Sequence, residues 1–537
     1  MDNKKKKFKF MNTTFWSSFL ILLAFAVWGG LAPETLASQA DTIYGFIADT
    51  FGWFYLVFVF CLIIFNFYLA FSKYGSIRLG GDDTRPKYPF FTWIAMLFSA
   101  GFGVSIVFWG VAEPMTHFGT PPPFEPGVEA GTAEAARIAM WNAFFNNGIH
   151  QWASFTFVGL AISYFIYRQE ERSLISDTLN PVIGDTGKKP LRRTIDSIAV
   201  IATVMGVATT LGLSVLQINS GLGATFGLPS GETTQILIVL AMFVFFMVST
   251  FSGLDRGIKY LSNVNLGLAL LLMIVVLFIG PTGFIFNTIT TGIGDYLQNF
   301  LQASLRLGHY SESTWVQDWP VYYWAWTIAW APFVGMFVAR ISKGRTVREF
   351  VLGVMVTPPF LGIIWIGIFG GTAIHSDLFN GTDIAGAVAQ DEATALFSLF
   401  AQLPLGGILS ILSICLLFTF LVTSADSATF VLGMMTTQGD RDPSVVIKAI
   451  WGTLIASLAI ILILSAGLNG LQTASLIGAL PFSIVLFVVA VSLLMTIRSD
   501  YRETRERKDI EKHRKIADHI DDENGNGNGN GDGKDNT

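Results

Sequence analysis

The chain has 537 residues, of which 52% are hydrophobic and only 14% charged, whereas a soluble chain carries about a quarter charged residues. This excludes a soluble enzyme, and no nucleic-acid partner is expected. The formal net charge of −5 says little, because the charges are segregated along the sequence. Cys61 and Cys415 both lie in apolar runs, which suggests neither a disulfide framework nor a metal site. The first apolar run follows a basic start but leads into Gly29-Gly-Leu-Ala-Pro33 without a clear cleavage site, so no cleavable signal peptide is expected.

Apolar runs near the roughly twenty-residue spanning length fall at 13–31, 52–72, 90–112, 140–167, 195–217, 233–252, 260–282, 319–339, 350–372, 404–434, 447–468 and 472–497. The expectation is an all-α polytopic membrane protein with twelve transmembrane helices. With the amino terminus inside, lysine and arginine should collect in alternate loops. Of the 34 such residues, only Arg137 and Arg306 fall outside the segments this places in the cytoplasm. Between the seventh and eighth runs, apolar residues of 283–317 recur at helical spacing, which predicts an amphipathic helix on the outer surface, either a gate or a brace. A second short helix is predicted around Ala393–Gln402. Arg498–His519 alternates in charge and predicts a solvated helix, and the Gly-Asn repeats of Asp521–Thr537 predict disorder.

Three interruptions of the apolar spans carry the chemistry. In the third span, Gly101 and Gly103, followed by Ser105, either let the helix unwind or permit close packing through small residues. An unwound segment exposes backbone groups of the kind that hold a cation or a substrate carboxylate. The eighth span holds Trp324, Trp326, Trp330 and two tyrosines ahead of the basic run Arg340–Arg348. Tryptophan normally gathers at membrane interfaces. A cluster running toward mid-span is either a bulky packing face or an aromatic cage for an ammonium group. The tenth span contains Phe420-Leu-Val-Thr-Ser-Ala-Asp-Ser427. There Thr423 and Ser424 offer hard-oxygen ligands, and Asp426 either pairs with a basic group or binds the ion itself.

The Gly-Phe-Gly-Val-Ser…Glu-Pro of the third span, the tryptophan segment of the eighth, Ala339-Arg-Ile-Ser-Lys-Gly-Arg345 and Val422-Thr-Ser-Ala-Asp-Ser427 together resemble the betaine/choline/carnitine transporters. The likeness runs from about Trp16 to Arg498. It implies a leucine-transporter-like core of two inverted five-helix repeats, 90–282 and 319–497, preceded by two peripheral helices within 13–89. The segment 283–318 lies between the repeats, and the tails 1–12 and 498–537 are cytoplasmic. It also implies a homotrimer in a bacterial plasma membrane, in contact with its lipids.

Carried over residue by residue, the resemblance implies a Na⁺ site at Ser99, Phe102, Phe420, Thr423 and Ser424. A possible second site uses Thr203 and Phe333, but Val207 stands where sodium-coupled members have another threonine, so one coupling Na⁺ is the safer expectation. The substrate site would draw on Gly101, Gly103, Ser105, Asn147, Trp152, Phe155, Trp326, Thr327 and Trp330. Asn147 and Thr327 replace two indoles of the betaine carriers' cage, which removes cation–π energy of about 0.5–2 kcal/mol per ring. Hydrogen-bonding groups that a trimethylammonium head cannot use stand in their place. His150 is either a packing histidine or part of the pocket.

The expected function is secondary active import of a compatible solute, glycine betaine or a related small zwitterion, by Na⁺-coupled alternating access. The alternatives are a carrier specialised for ectoine or an amino-acid-like solute, and an ion-independent exchanger. No cofactor is expected beyond the coupling Na⁺. No His-Glu-x-x-His set or nucleophile–base pair argues for an enzyme. The charged tail is either a sensor of ionic strength or lipid, or a solubilising extension.

Overall fold

The computed structural model describes residues 12–526 except 102, 185–188, 253–254, 309, 311–312 and 441. Side chains at 98–101, 251–252, 255–260, 262, 508 and 517–526 also lie outside the described set. In chain order the principal helices are α1 (Thr13–Leu31), α2 (Pro33–Phe71), α3 (Phe90–Gly101), α4 (Gly103–Gly119), α5 (Ala133–Asn146) and α6 (Ile149–Tyr167). They continue with α7 (Lys189–Phe226), α8 (Glu232–Ser252), α9 (Asp255–Ile279), α10 (Thr282–Ser304), α11 (Tyr322–Ile341) and α12 (Val347–Met355). The last are α13 (Thr357–Asn380), α14 (Ile384–Gln390), α15 (Ala395–Ala401), α16 (Gly406–Thr436) and α17 (Val445–Asn526).

Among the described residues, nine helices are long and apolar enough to cross a membrane, or ten if the bent pair Asn263–Ile279 and Thr282–Ser304 is one span. The remaining windows read from the sequence fall where a helix breaks. The window 90–112 is divided between α3 and α4, neither of which has the full spanning length. The windows 447–468 and 472–497 share α17, whose backbone leaves helical geometry at Ala466 (φ −148°) and Gly467 (φ 56°).

Burial sorts the helices into a centre and a rim. In the spans that contain α5–α6, α7 and α11, 89% of the most apolar window is buried, against 28% for α8 and 33% for α1. The rim helices expose Leu20, Ile21, Leu237, Val244, Phe245 and Val248, an apolar surface suited to lipid, where backbone groups must be satisfied within the helix. At the centre, α11 packs on α6, α7 and α17, and α4 packs on α5 and α13.

Each break has a local cause. Between α3 and α4 the chain turns at Gly103, whose φ of +31° is a conformation that costs a side-chain-bearing residue free energy. Between α5 and α6 the chain turns at Asn147 and Gly148. A Cβ on Gly148 would lie 2.6 Å from both the Phe144 carbonyl oxygen and the Tyr296 hydroxyl. That hydroxyl accepts the Ile149 N–H at 3.1 Å, which satisfies one of the donors left open at a helix start. Between α9 and α10 the bend is 111°, with Pro281 at the N-cap of α10. α10 then runs across α5 and α13 and is pinned by Arg137, which donates to both carboxylate oxygens of Asp295 at 2.8 and 2.7 Å.

The cationic loops gather at one end of the bundle. There the segment 77–88 pairs with 342–347: Leu79 N–H donates to the Arg345 carbonyl at 2.8 Å and Val347 N–H to the Ile77 carbonyl at 2.9 Å. The guanidinium of Arg345 is buried, donates to the Tyr88 carbonyl at 2.8 Å and lies 4.7 Å from the Trp93 ring. At the same end, Tyr164 and Gln169 donate to Asp500 of α17 at 2.6 and 2.7 Å. Residues 521–526, the start of the segment predicted to be disordered, are instead the last part of α17, which runs to Asn526. Residues 527–537 lie outside the described set.

Candidate functional site

On α4, Trp109, Glu113 and His117 recur every fourth residue and so share one face. All three are buried. A buried carboxylate in a membrane-spanning helix is costly unless its oxygens are met by donors. Glu113 is met by three. Asn146 Nδ2 donates to Oε1 at 2.7 Å, Asn147 Nδ2 to Oε2 at 2.8 Å, and the Tyr323 hydroxyl to Oε2 at 2.6 Å. His117 Nε2 stands 3.6 Å from Oε1, with its ring 4.4 Å from Trp319 and 5.2 Å from Trp315. The carboxylate thus joins α4, α5 and α11 at one point.

Below this point lies an aromatic wall. Tyr322, Trp326 and Trp330 follow at intervals of four on α11, and their rings stack. Tyr322 and Trp326 are 5.8 Å apart and inclined by 8°, and Trp326 and Trp330 are 6.2 Å apart and inclined by 12°. Trp109 faces the upper end, 6.2 Å from Tyr322 and 5.9 Å from Tyr323. At the lower end Phe155 meets Trp330 edge-on at 5.8 Å and Trp152 at 5.5 Å. A continuous aromatic surface of this kind offers its π faces to a cationic head without placing a counter-charge against it.

Several predicted residues sit on this surface, and others are turned from it. Trp152, Phe155, Trp326 and Trp330 form the wall. Asn147 spends its amide on Glu113 and on the Ala143 carbonyl at 3.0 Å. Thr327 is buried and donates to the Trp324 carbonyl of its own helix at 3.1 Å. His150 belongs to helix packing: it stacks on Trp324 at 5.4 Å and 17° and bonds to Ser304 at 2.7 Å. Gly101 ends α3, Gly103 begins α4, and the buried hydroxyl of Ser105 has no hydrogen-bond partner among the described residues.

The predicted cation site is described in part. Phe102 and the Ser99 side chain lie outside the described residues. Phe420 is buried, and its carbonyl accepts from the Thr423 hydroxyl at 2.8 Å. The same hydroxyl accepts from Asn265 Nδ2 at 3.4 Å. Ser424 lines a small void together with Val207, Thr210, Trp330 and Phe333. Thr203 does not line it; its hydroxyl donates to the Ala199 carbonyl at 2.8 Å. Thr210, one turn beyond Val207, lines the same void as Phe333. Asp426 takes hydrogen bonds from the hydroxyls of Ser249 and Thr250 at 2.9 and 2.8 Å; the side chains of Arg256 and Lys259, the basic groups next along from these two, lie outside the described residues.

Sequence reasoning gave no role to Trp109 or Asn146, met Glu113 only within the Glu-Pro of the third span, and met Tyr322 and Tyr323 only as the two tyrosines of the eighth. The available signal was an ionisable residue within an apolar span, with an indole one turn before it.

The family model described as the betaine/carnitine/choline family transporter matches residues 13–502. The chain is 49% identical over 498 residues to an ectoine/hydroxyectoine transporter of Virgibacillus pantothenticus, covering 93% of this chain and 99% of that protein. It is 42% identical over 508 residues to the glycine betaine transporter OpuD of Bacillus subtilis, covering 94% and 98%. It is also 38% identical over 515 residues to the betaine/ectoine transporter LcoP of Corynebacterium glutamicum, covering 94% and 81%. An all-helical chain with many membrane-length apolar helices and this similarity along nearly its whole length belongs to the betaine/carnitine/choline transporter family, a family of integral membrane transporters and not of enzymes.

Proposed function

We propose that this protein imports a compatible solute, a small zwitterion, by Na⁺-coupled alternating access. The observation that supports this most is the stacked wall Tyr322–Trp326–Trp330, buried at the centre of the bundle and closed by Trp109, Phe155 and Trp152. It suits a cationic head, and the helix start at Gly103 supplies backbone N–H groups of the kind that bind a carboxylate. The coupling ion would sit at Thr423, Ser424 and the Phe420 carbonyl, with Ser99 and Phe102 as the remaining ligands. The void at Thr210 and Phe333 is the place for a second ion, if one is used. One Na⁺ moving down a membrane potential of 100 mV releases about 2.3 kcal/mol, roughly fifty-fold accumulation. A single coupling ion is therefore enough for osmotic loading. In this reading two inverted repeats rock about the site, three protomers assemble in a bacterial plasma membrane, and both tails face the cytoplasm.

Ectoine is the solute favoured over glycine betaine. Asn147 and Thr327 stand where indoles would serve a trimethylammonium head. The 49% identity is to a protein named for ectoine and hydroxyectoine transport. The test is uptake of labelled ectoine and glycine betaine in a bacterial strain that lacks its own carriers, with and without Na⁺. The proposal expects Na⁺-dependent uptake of ectoine with weaker competition by glycine betaine. Uptake of neither solute, or uptake indifferent to Na⁺, contradicts it; the latter would indicate an exchanger.

A further inference from the structure

We infer that Phe124, Trp315 and Glu125 form an outer seat for the cationic head of the solute, and that Arg306 is its tethered occupant, which a solute displaces on entry; this rests on the solute-carrier reading above. Of the 34 lysines and arginines, only Arg137 and Arg306 fall outside the segments placed in the cytoplasm. Arg137 is spent on Asp295. Arg306, two residues past the end of α10, holds its guanidinium carbon 4.0 Å from the centroid of the Phe124 ring. Its Nη1 stands 3.8 Å from Glu125 Oε1, beyond hydrogen-bond range, and that buried nitrogen has no hydrogen-bond partner among the described residues. Buried donors are normally paired, so what retains Arg306 here is a π face and a nearby negative charge. The same two features hold a ligand cation. The space that a solute head needs is the space the guanidinium fills.

Sequence and packing prepare the seat. Phe124 and Glu125 follow Pro121-Pro-Pro123 and precede Pro126. Prolines fix φ, which stiffens the connection between α4 and α5 and lowers the ordering cost of binding. The connection between α10 and α11 meets it here, because Trp315 packs edge-on against Phe124 at 4.9 Å and 84°. From Trp315 the rings continue inward, to His117 at 5.2 Å, Trp319 at 4.4 Å, Tyr323 at 6.4 Å and Trp326 at a further 6.4 Å. A cationic head released from Phe124 therefore meets an aromatic ring at each step to the stacked wall. If Arg306 instead recruited the solute carboxylate, its removal would weaken binding, the opposite sign.

The experiment follows the tryptophan fluorescence of purified full-length protein titrated with tetramethylammonium, for the wild type, Arg306→Gln, Arg306→Lys, Phe124→Leu and the double variant Arg306→Gln/Phe124→Leu. Removing a resident cation frees the ring, so Arg306→Gln should bind the probe about threefold or more tightly than the wild type. Arg306→Lys, which keeps a cation, should stay near the wild type. In the double variant the gain should vanish, since residues in contact do not act additively. Arg306→Gln should also lower the KM for uptake of labelled solute at unchanged abundance, which the loss of a mere brace would not do. Unchanged or weaker probe binding in Arg306→Gln, or a gain that persists without Phe124, would overturn the inference. A wild type that takes up neither ectoine nor glycine betaine, with the probe results as expected, would refute the carrier reading and leave the cation seat standing.

Discussion

Trp326 and Trp330 differ from Trp324, although all three lie within seven residues of one helix. The first two continue a stack that reaches Tyr322, and the third faces His150 of a neighbouring helix. Trp330→Leu should therefore raise the KM for solute by roughly tenfold, from loss of cation–π energy of about 0.5–2 kcal/mol, with little change in protein abundance. Trp324→Leu should reduce abundance and leave KM close to wild type. Uptake kinetics normalised to membrane protein separate the two. At the proposed cation site, Thr423→Ala should raise the Na⁺ concentration for half-maximal uptake, and Thr423→Ser should restore it. A Na⁺ dependence unchanged in Thr423→Ala would remove Thr423 from the ion site.

The wall residues of α11 were legible in the sequence because indoles at mid-span violate the usual interfacial placement of tryptophan. Glu113 was not. It stood in plain view in the Glu-Pro of α4, but its partners come from α5 and α11, between 33 and 210 residues away, and no spacing within one helix announces such a meeting. Thr210 was not legible for a similar reason: only the packing of α7 against α11 and α16 brings it to the void that it shares with Phe333 and Ser424.

At the level of helices, the breaks organise the site. Gly101 and Gly103 marked the interruption of the third span in advance, since a residue free of Cβ permits a φ of +31° at no steric cost. The break at Asn147–Gly148 was less evident, because what enforces it is the Tyr296 hydroxyl of α10, far along the chain. Gly148→Ala places a methyl group 2.6 Å from a carbonyl oxygen and from that hydroxyl. It should destabilise the protein by about 1–3 kcal/mol through overpacking. Tyr296→Phe, which leaves the Ile149 N–H without its partner, should cost about 1–3 kcal/mol. Thermal unfolding of the purified variants checks both. α10 is in this respect a brace on the α5–α6 turn, one of the two roles that its amphipathic pattern allowed.

Across the described residues, the central helices are buried nearly all round and the rim helices leave most of their apolar windows exposed, a division that hydropathy alone does not make because both kinds are apolar. The end with the cationic loops is tied together by backbone pairing of 77–88 with 342–347 and by Asp500 at the root of the long terminal helix. Deleting 505–537 retains Asp500 and Tyr501 and should leave protein abundance near wild type. Deleting 498–537 removes the acceptor for Tyr164 and Gln169 and should lower it. Comparison of the two truncations by membrane immunodetection tests whether the root of the tail is structural. The osmotic activation curve of the shorter truncation tests whether the distal part senses ionic strength.

The central claim is that an inward Na⁺ gradient drives a small zwitterion through this protein. The most direct measurement is accumulation of labelled ectoine in liposomes that contain the purified full-length chain, with Na⁺ imposed outside and then replaced by K⁺. The account predicts transient accumulation above the external concentration with the Na⁺ gradient, its collapse when Na⁺ is equal on both sides without a membrane potential, and its loss in Thr423→Ala. Equilibration that is indifferent to Na⁺, or entry only when the vesicles are preloaded with a second solute, would contradict it.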